Sequence, residues 1–217
     1  MILKLSIPIR FNYNDNYYRS IYQGIPDDGY TEIIERILSH RNITVQLSTE
    51  YKASMNSDYD FIFYTGPLDA YYDHQFGRLS YRTVYWKKEV GNGDILGHPA
   101  FNFPSLDQPY TRKREHKHYK YWKSYEKSIV FTEFSKDTTP KEEPYYPMRL
   151  ASDKILMSKY YRKLSQENNV AFLGRLALYK YMDMDQVIAD ALDLADAIIP
   201  SFADGNISKT RIYAPPS

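Results

Sequence analysis

The segment that most constrains this chain is Val170-Ala171-Phe172-Leu173-Gly174-Arg175, followed by Tyr179-Lys180-Tyr181-Met182-Asp183-Met184-Asp185. An apolar run ends on Gly-Arg, crosses an aromatic turn and enters an amphipathic helix at an acidic cap. That strand–turn–helix succession belongs to an α/β layer. A dinucleotide-binding layer also carries a Gly-x-Gly-x-x-Gly turn, and no such turn occurs among the 217 residues.

The first part of the chain holds a counterpart to this layer. Gly24-Ile25-Pro26-Asp27-Asp28-Gly29 is a tight loop. Ile33, Ile34, Ile37 and Leu38 then give a helix, from about Thr31 to Ser39, one apolar stripe. Ile43–Leu47 alternates like a half-buried strand. Asp60–Pro67 is a nearly continuous apolar run ending in Gly-Pro, the pattern of a central strand in a parallel sheet. The loop Gly66-Pro67-Leu68-Asp69 at its end lies where α/β sheets bind ligands, although a plain loop start accounts for it equally. From Leu68 to Pro147 the pattern changes to short alternating runs: Leu79–Trp86, Ala100–Phe103, His116–Trp122 and Ser128–Phe134. Gly, Pro and Asp turns separate them, as in an antiparallel sheet. Helical periodicity returns over Ile155–Ser165, then come the strand at Val170–Leu173 and a helix from Asp183 to about Ile199. The fold class is therefore α/β with mixed α+β character: a discontinuous α/β layer carrying an inserted antiparallel β-sheet. Residues 1–20 are extended and turn-like with no helix or cap of their own, which suggests a truncated chain.

Lys plus Arg (28) balance Asp plus Glu (27), so no global field points to nucleic acid or membrane. Cysteine is absent, which excludes disulfide and thiolate chemistry and suits a reducing compartment. No signal h-region and no membrane-spanning run is present, so a cytoplasmic protein is expected. Tyrosine is abundant, at 23 residues. Codon bias, with Lys, Asn, Ile and Asp also plentiful, accounts for most of them, and a tyrosine carries weight only inside a patterned segment.

The densest polar stretch is Pro109-Tyr110-Thr111-Arg112-Lys113-Arg114-Glu115-His116-Lys117-His118. Its three basic residues behind a Pro-Tyr turn suit a phosphate clamp. With Tyr119, Tyr121 and Trp122 following, they also suit single-stranded nucleic acid, and a solvated strand face explains them as well. His116 and His118 would share one face of a strand, but no third metal ligand is evident, so no metal site is expected. Glu142-Glu143-Pro144-Tyr145-Tyr146-Pro147 is either a linker or a pair of tyrosines walling a pocket. No carboxylate pair has the spacing of an acid–base couple, and no serine or lysine lies in a nucleophile motif. Any catalytic chemistry then belongs to a cofactor.

Taken in order, these segments resemble the UDP-galactopyranose mutase family. The matching blocks are Pro8-Ile9-Arg10-Phe11 with Asp15-Asn16-Tyr17-Tyr18, Tyr22–Pro26 with Gly29-Tyr30-Thr31, Tyr64–Asp69, Phe76–Arg82, Pro109–Arg112 with Glu115–His118, Glu143–Pro147, and Gly174-Arg175-Leu176 with Tyr179–Met184. The resemblance implies conversion of UDP-galactopyranose to UDP-galactofuranose through a covalent adduct at N5 of reduced FAD, so no side chain is assigned as catalytic. It implies that Arg112 holds the substrate diphosphate. Tyr17, Tyr146 and Tyr181 would surround phosphate and sugar, Asn102 and Glu133 would line the substrate pocket, and Asp183 would stand at its sugar end. It further implies Arg175, Asp183 and Met184 beside the flavin.

The implied segmentation is 1–20 as a remnant of a helical, mobile-loop domain, 21–67 as part of the FAD domain, and 68–147 as the substrate sheet. Residues 148–200 would return to the FAD domain, and 201–217 would form a disordered tail. UDP-galactose is the implied ligand. The missing N-terminal half as a separate chain and a homo-oligomer are the implied protein partners, with neither nucleic acid nor membrane. Two local departures stand out: Ser6 replaces a second diphosphate arginine, and Leu173-Gly174-Arg175 replaces Gly-Gly-Arg. A flavin-free UDP-sugar-binding module, or one half of a split mutase, is the alternative.

Overall fold

Two apolar tripeptides far apart in sequence pair in parallel, Ile62 with Val170, Phe63 with Ala171 and Tyr64 with Phe172. This computed structural model describes residues 11–14, 16 and 20–203. In chain order its elements are α1 (Tyr30–Leu38), β1 (Ile62–Tyr64), α2 (Leu68–Tyr71), β2 (Tyr81–Asn92), β3 (Ala100–Asn102), β4 (Arg112–Glu115), β5 (Lys127–Asp137), β6 (Tyr146–Pro147), α3 (Asp153–Leu164), β7 (Val170–Phe172), α4 (Gly174–Ala177) and α5 (Met184–Ala203). Short 3-10 turns occupy Ala53–Asp58 and His116–Lys120. The result is a mixed α/β protein with an antiparallel sheet, as the sequence patterns predict. It divides into two compact units, residues 50–84 with 136–217 and residues 1–49 with 85–135.

In the unit built from 50–84 and 136–217, β1 and β7 form the parallel pair, and β6 pairs antiparallel with the first residues of β2. Gly66 lets the chain leave β1 closely, since a Cβ there would lie 2.6 Å from the Tyr64 hydroxyl. The core comprises Tyr64, Leu68, Tyr71, Tyr72, Leu79, Tyr81, Tyr160, Leu164, Phe172, Ala177 and Tyr179. Six of these eleven are tyrosines, so part of the tyrosine excess is architectural rather than compositional.

Buried phenols need acceptors, and most find one. Tyr64 donates to Pro67 O at 3.1 Å, and Tyr160 to Gly77 O at 2.6 Å. Tyr81 donates to Asp69 Oδ1 at 3.2 Å. Tyr179 offers its proton to Ser80 O at 2.6 Å and Asp153 Oδ2 at 2.8 Å. Burial, and then the neighbouring carboxylates, raise the pKa of Tyr81 and Tyr179, keeping both phenols protonated donors. Asp69 also accepts from Leu79 N–H at 3.0 Å and faces His74 Nδ1 at 3.1 Å. At 2% exposure it is a structural acceptor, and the loop start rather than a ligand site describes Gly66–Asp69.

In the other unit the strand order is β3-β4-β5-β2, with β3 antiparallel to β4 and β4 antiparallel to β5. Helix α1 covers one residue earlier at each end than its periodicity predicts, and its stripe of Ile33, Ile34, Ile37 and Leu38 stays exposed. Two expected strands are absent. Residues 43–47 alternate but find no partner strand, so their backbone stays irregular and exposed. Residues 116–120 turn into the 3-10 segment, which brings Lys117 and His118 back toward Glu115. The expected disordered tail at 201–217 begins inside α5, and 204–217 lie outside the described residues.

Replacing Tyr179 with Phe removes the donor shared by Ser80 O and Asp153 while keeping the ring. A loss of about 1–3 kcal/mol in urea-unfolding free energy is expected, and an unchanged midpoint would show that the bond contributes nothing.

Candidate functional site

Pairing on both sides of β4 decides which residues stand abreast. Asn102 on β3 is opposite Arg112, and Arg112 is opposite Glu133 on β5. Directly opposed residues of antiparallel strands project from one face, so the three form a row. Arg112 Nε donates to Asn102 Oδ1 at 2.7 Å, which leaves both terminal nitrogens for an oxyanion. Thr111 Oγ1 donates to Glu133 Oε1 at 3.0 Å, an orienting contact between residues far apart in the sequence. Alternation places Arg114 on the same face as Arg112, between Ala100 and Phe131. Lys113 points the other way, its Nζ 5.1 Å from the Tyr110 ring centre. The run of three basic residues is thus divided between two faces. Tyr121 and Trp122 pack on each other outside β4, so the basic and aromatic residues of this run do not share one strand.

A second set lies in the other unit. Gly174 begins α4 at φ +83°, a conformation open to glycine. Arg175 Nε donates to Met182 O at 3.0 Å, and Nη2 bonds the same oxygen. The guanidinium lies 5.0 Å from the Tyr146 ring centre and 5.1 Å from that of Tyr181, and the two rings are nearly parallel. Helix α5 starts one turn later. Gln186 Oε1 accepts the Asp183 N–H at 3.0 Å, and Val187 N–H reaches Asp183 O at 3.1 Å. Asp183 therefore occupies the cap, with half of a capping box. The N–H groups of Met184, Asp185 and Gln186 have no acceptor within the helix, and they carry its positive end. The structure brings Tyr146, Arg175, Tyr181, Asp183 and Met184 together in this unit; Tyr17 lies outside the described residues.

On the face of β4 opposite the arginines, Glu115 is fully buried. It accepts from Ile95 N–H at 3.2 Å, from Leu96 N–H and from the Ser128 hydroxyl, and pairs with Lys117 Nζ at 3.3 Å. Burial alone would raise its pKa, but the Ser128, Leu96, Ile95 and Lys117 contacts prevail and bring it down to about 2. His118 Nε2 lies 3.0 Å from Asp94 Oδ1 and 3.5 Å from Glu115 Oε2. Asp94, Glu115 and His118 make a three-ligand group that the sequence spacing conceals, and His116 does not belong to it. With Lys117 already paired and backbone donors on both Glu115 oxygens, the group is an ion-pair lock on the loop around Asp94.

The family model GLF, described as UDP-galactopyranose mutase, matches residues 2–181. A probable UDP-galactopyranose mutase of Klebsiella pneumoniae is 43% identical over 198 residues, covering 91% of this chain and 52% of that protein. A dTDP-fucopyranose mutase of Escherichia coli is 38% identical over 200 residues, covering 89% of this chain and 53% of the relative. A solved structure of reduced UDP-galactopyranose mutase overlays with a TM-score of 0.48 at 16% identity, over 72% of this chain and 44% of the other. The chain belongs to the UDP-galactopyranose mutase family. It spans about half the length of the curated relatives it matches. No helix among the described residues is long and apolar enough to cross a membrane.

Because the Glu115 pKa is depressed, its stabilising contribution is present above the ordinary value of 4.5 and disappears as pH falls toward about 2. Glu115→Gln should be less stable at neutral pH, and its stability should depend less on pH across that window than the parent's. Acid titration of the circular dichroism of both proteins checks this, and parallel curves would remove Glu115 from the account.

Proposed function

We propose that this chain carries the substrate-binding sheet and the flavin-facing return segment of a UDP-galactopyranose mutase, which interconverts UDP-galactopyranose and UDP-galactofuranose. The observation that carries the reading is the row Asn102–Arg112–Glu133 across three strands. It combines one guanidinium with free terminal nitrogens, one amide and one carboxylate, a set suited to a diphosphate beside sugar hydroxyls. In this reading Arg112 neutralises the diphosphate. Asn102 fixes the guanidinium through its side-chain oxygen, and Glu133, oriented by Thr111, accepts from substrate hydroxyls. Tyr17, Tyr146 and Tyr181 serve phosphate and sugar, and Asp183 serves the sugar end.

The cofactor of the reading is reduced FAD, which when bound supplies the nucleophilic N5 for the anomeric carbon. The residues here fit such a group. The uncapped N–H groups at Met184–Gln186 and the Arg175 charge suit an anionic reduced ring. In this reading residues 21–67 and 148–200 are the flavin-side segments of the sequence, and 68–147 the substrate segment. Phe63 on β1, with Met184, Ile188, Leu192 and Ile199 on α5, exposes apolar surface that suits a covering partner, either the other half of a split mutase or a second copy. The absence of cysteine agrees with a cytoplasmic setting.

Similarity to the dTDP-fucopyranose mutase favours a second reading, in which the same face takes a dTDP-sugar. The two nucleotides differ in the base methyl and the pentose 2′-hydroxyl. A base methyl separates ligands by about 1–3 kcal/mol in a fitted pocket, so UDP and dTDP titrations decide between the readings.

Amide shifts of the full chain titrated with UDP, dTDP and FAD test the proposal. UDP should bind with an affinity on the order of millimolar. Arg112→Ala should lose about 1.5–3 kcal/mol, roughly tenfold or more. FAD should bind no tighter than about micromolar without a pyrophosphate turn. Undiminished UDP binding by Arg112→Ala would refute the assigned site, and tighter binding of dTDP would select the second reading.

A further inference from the structure

The face that carries Arg112 holds a second guanidinium with no part in the assignments above. Arg114 is two residues along β4, so its side chain leaves the sheet on the same side, with the two Cα atoms about 7 Å apart. The two arginines have different neighbours. Arg112 stands between Asn102 and Glu133, one of which it bonds. Arg114 stands between Ala100 and Phe131, neither of which offers an acceptor side chain. Its Nε is buried without a hydrogen-bond partner, and it forms no ion pair among the described residues. A buried guanidinium N–H left unpaired is costly, and an arginine held only for structure ordinarily finds a carboxylate or carbonyl. Burial, and after it the Arg114 charge, lower the pKa of the neighbouring His116.

We propose that Arg114 is a second anion-binding residue of this face, contacting a phosphate group of the nucleotide that Arg112 also holds. The inference rests on the nucleotide-sugar reading and extends it to a residue outside that assignment. Glu133, directly opposite Arg112, offsets part of that arginine's attraction for an anion, whereas no acid stands opposite Arg114. Ala100 leaves the β3 side of Arg114 short of side-chain bulk, so the fork can turn toward a ligand without displacing a large neighbour. On the other side Phe131, directly opposite on β5, offers a ring and no acceptor for the guanidinium.

The test uses the full chain titrated with UDP and with uridine, for the parent, Arg114→Gln, Arg114→Lys and Arg112→Ala, with thermal melts to establish folding. Arg114→Gln should weaken UDP roughly five- to tenfold and leave uridine unchanged. Arg114→Lys should recover part of the loss, because charge remains but the planar fork does not. The Arg114 Nε–H resonance should shift on adding UDP and stay in place on adding uridine. UDP binding that depends on Arg112 and not on Arg114 would overturn this inference alone. No UDP binding by the parent protein would overturn the nucleotide-sugar reading and this inference with it. An oligonucleotide that binds much tighter than UDP, with Arg114 in its footprint, would assign the residue to a polyanion surface instead.

Discussion

A carboxylate taken out of water must be given donors inside the protein, or its burial costs several kcal/mol. This chain buries Asp69, Asp153 and Glu115, and each collects donors from separate stretches of sequence. Asp153 joins Ser80, Leu150 and Tyr179. Asp69 joins Leu79, Tyr81 and His74. Glu115 joins Ile95, Leu96, Lys117 and Ser128. Hydrophobic contact is non-directional and leaves a tyrosine-rich core free to shift, whereas these hubs specify which segments meet and in what orientation. The loops at 66–80 and 93–98 are held in place largely by such bonds, since regular secondary structure in them is short.

The same logic connects stability to the arginine face. Strand β4 is only Arg112-Lys113-Arg114-Glu115, too short for a hydrophobic pattern to set its register. A slip of one residue would carry both arginines to the other face and put Glu115 in their place. Glu115 prevents this, because its donors come from the Ile95–Leu96 loop and from Ser128 on β5, and no other β4 side chain could satisfy them. The buried carboxylate on one side of the strand thereby determines what the opposite side presents.

Local patterns exposed much of the fold. Strands β1 and β7, helices α3 and α5, and the antiparallel character of the middle region all follow from periodicity and turn residues, whereas the pairing of β1 with β7 does not. Patterns failed where a segment's state depends on a distant partner. Ile43–Leu47 alternates without a strand to pair with, and His116–Lys120 coils because Glu115 and Asp94 draw Lys117 and His118 inward. The site was legible to a similar degree. Resemblance suggested Asn102, Arg112 and Glu133 separately, but their alignment in one row is a property of register, which no single segment encodes. Asp94 and Thr111 carry no signal of their own in the sequence, because each acts through a residue far from it in the chain.

Alternation along a strand also explains how one short segment can hold both strong cations and a strong anion. In a helix, Arg112, Arg114 and Glu115 would lie on neighbouring surfaces, and the carboxylate would neutralise the guanidinium groups before any ligand arrived. In a strand, the sheet separates them. The Glu115 charge is consumed by Lys117 and backbone donors on one face, while Arg112 and Arg114 form no ion pair among the described residues on the other. In the proposed reading, a face prepared in this way holds positive charge already oriented and partly desolvated, so an incoming phosphate would meet donors that need little reorganisation. Its cost appears in the fold as the unpaired Arg114 Nε. A bound anion would satisfy that donor, and unfavourable burial in the free protein would become part of the affinity for the ligand.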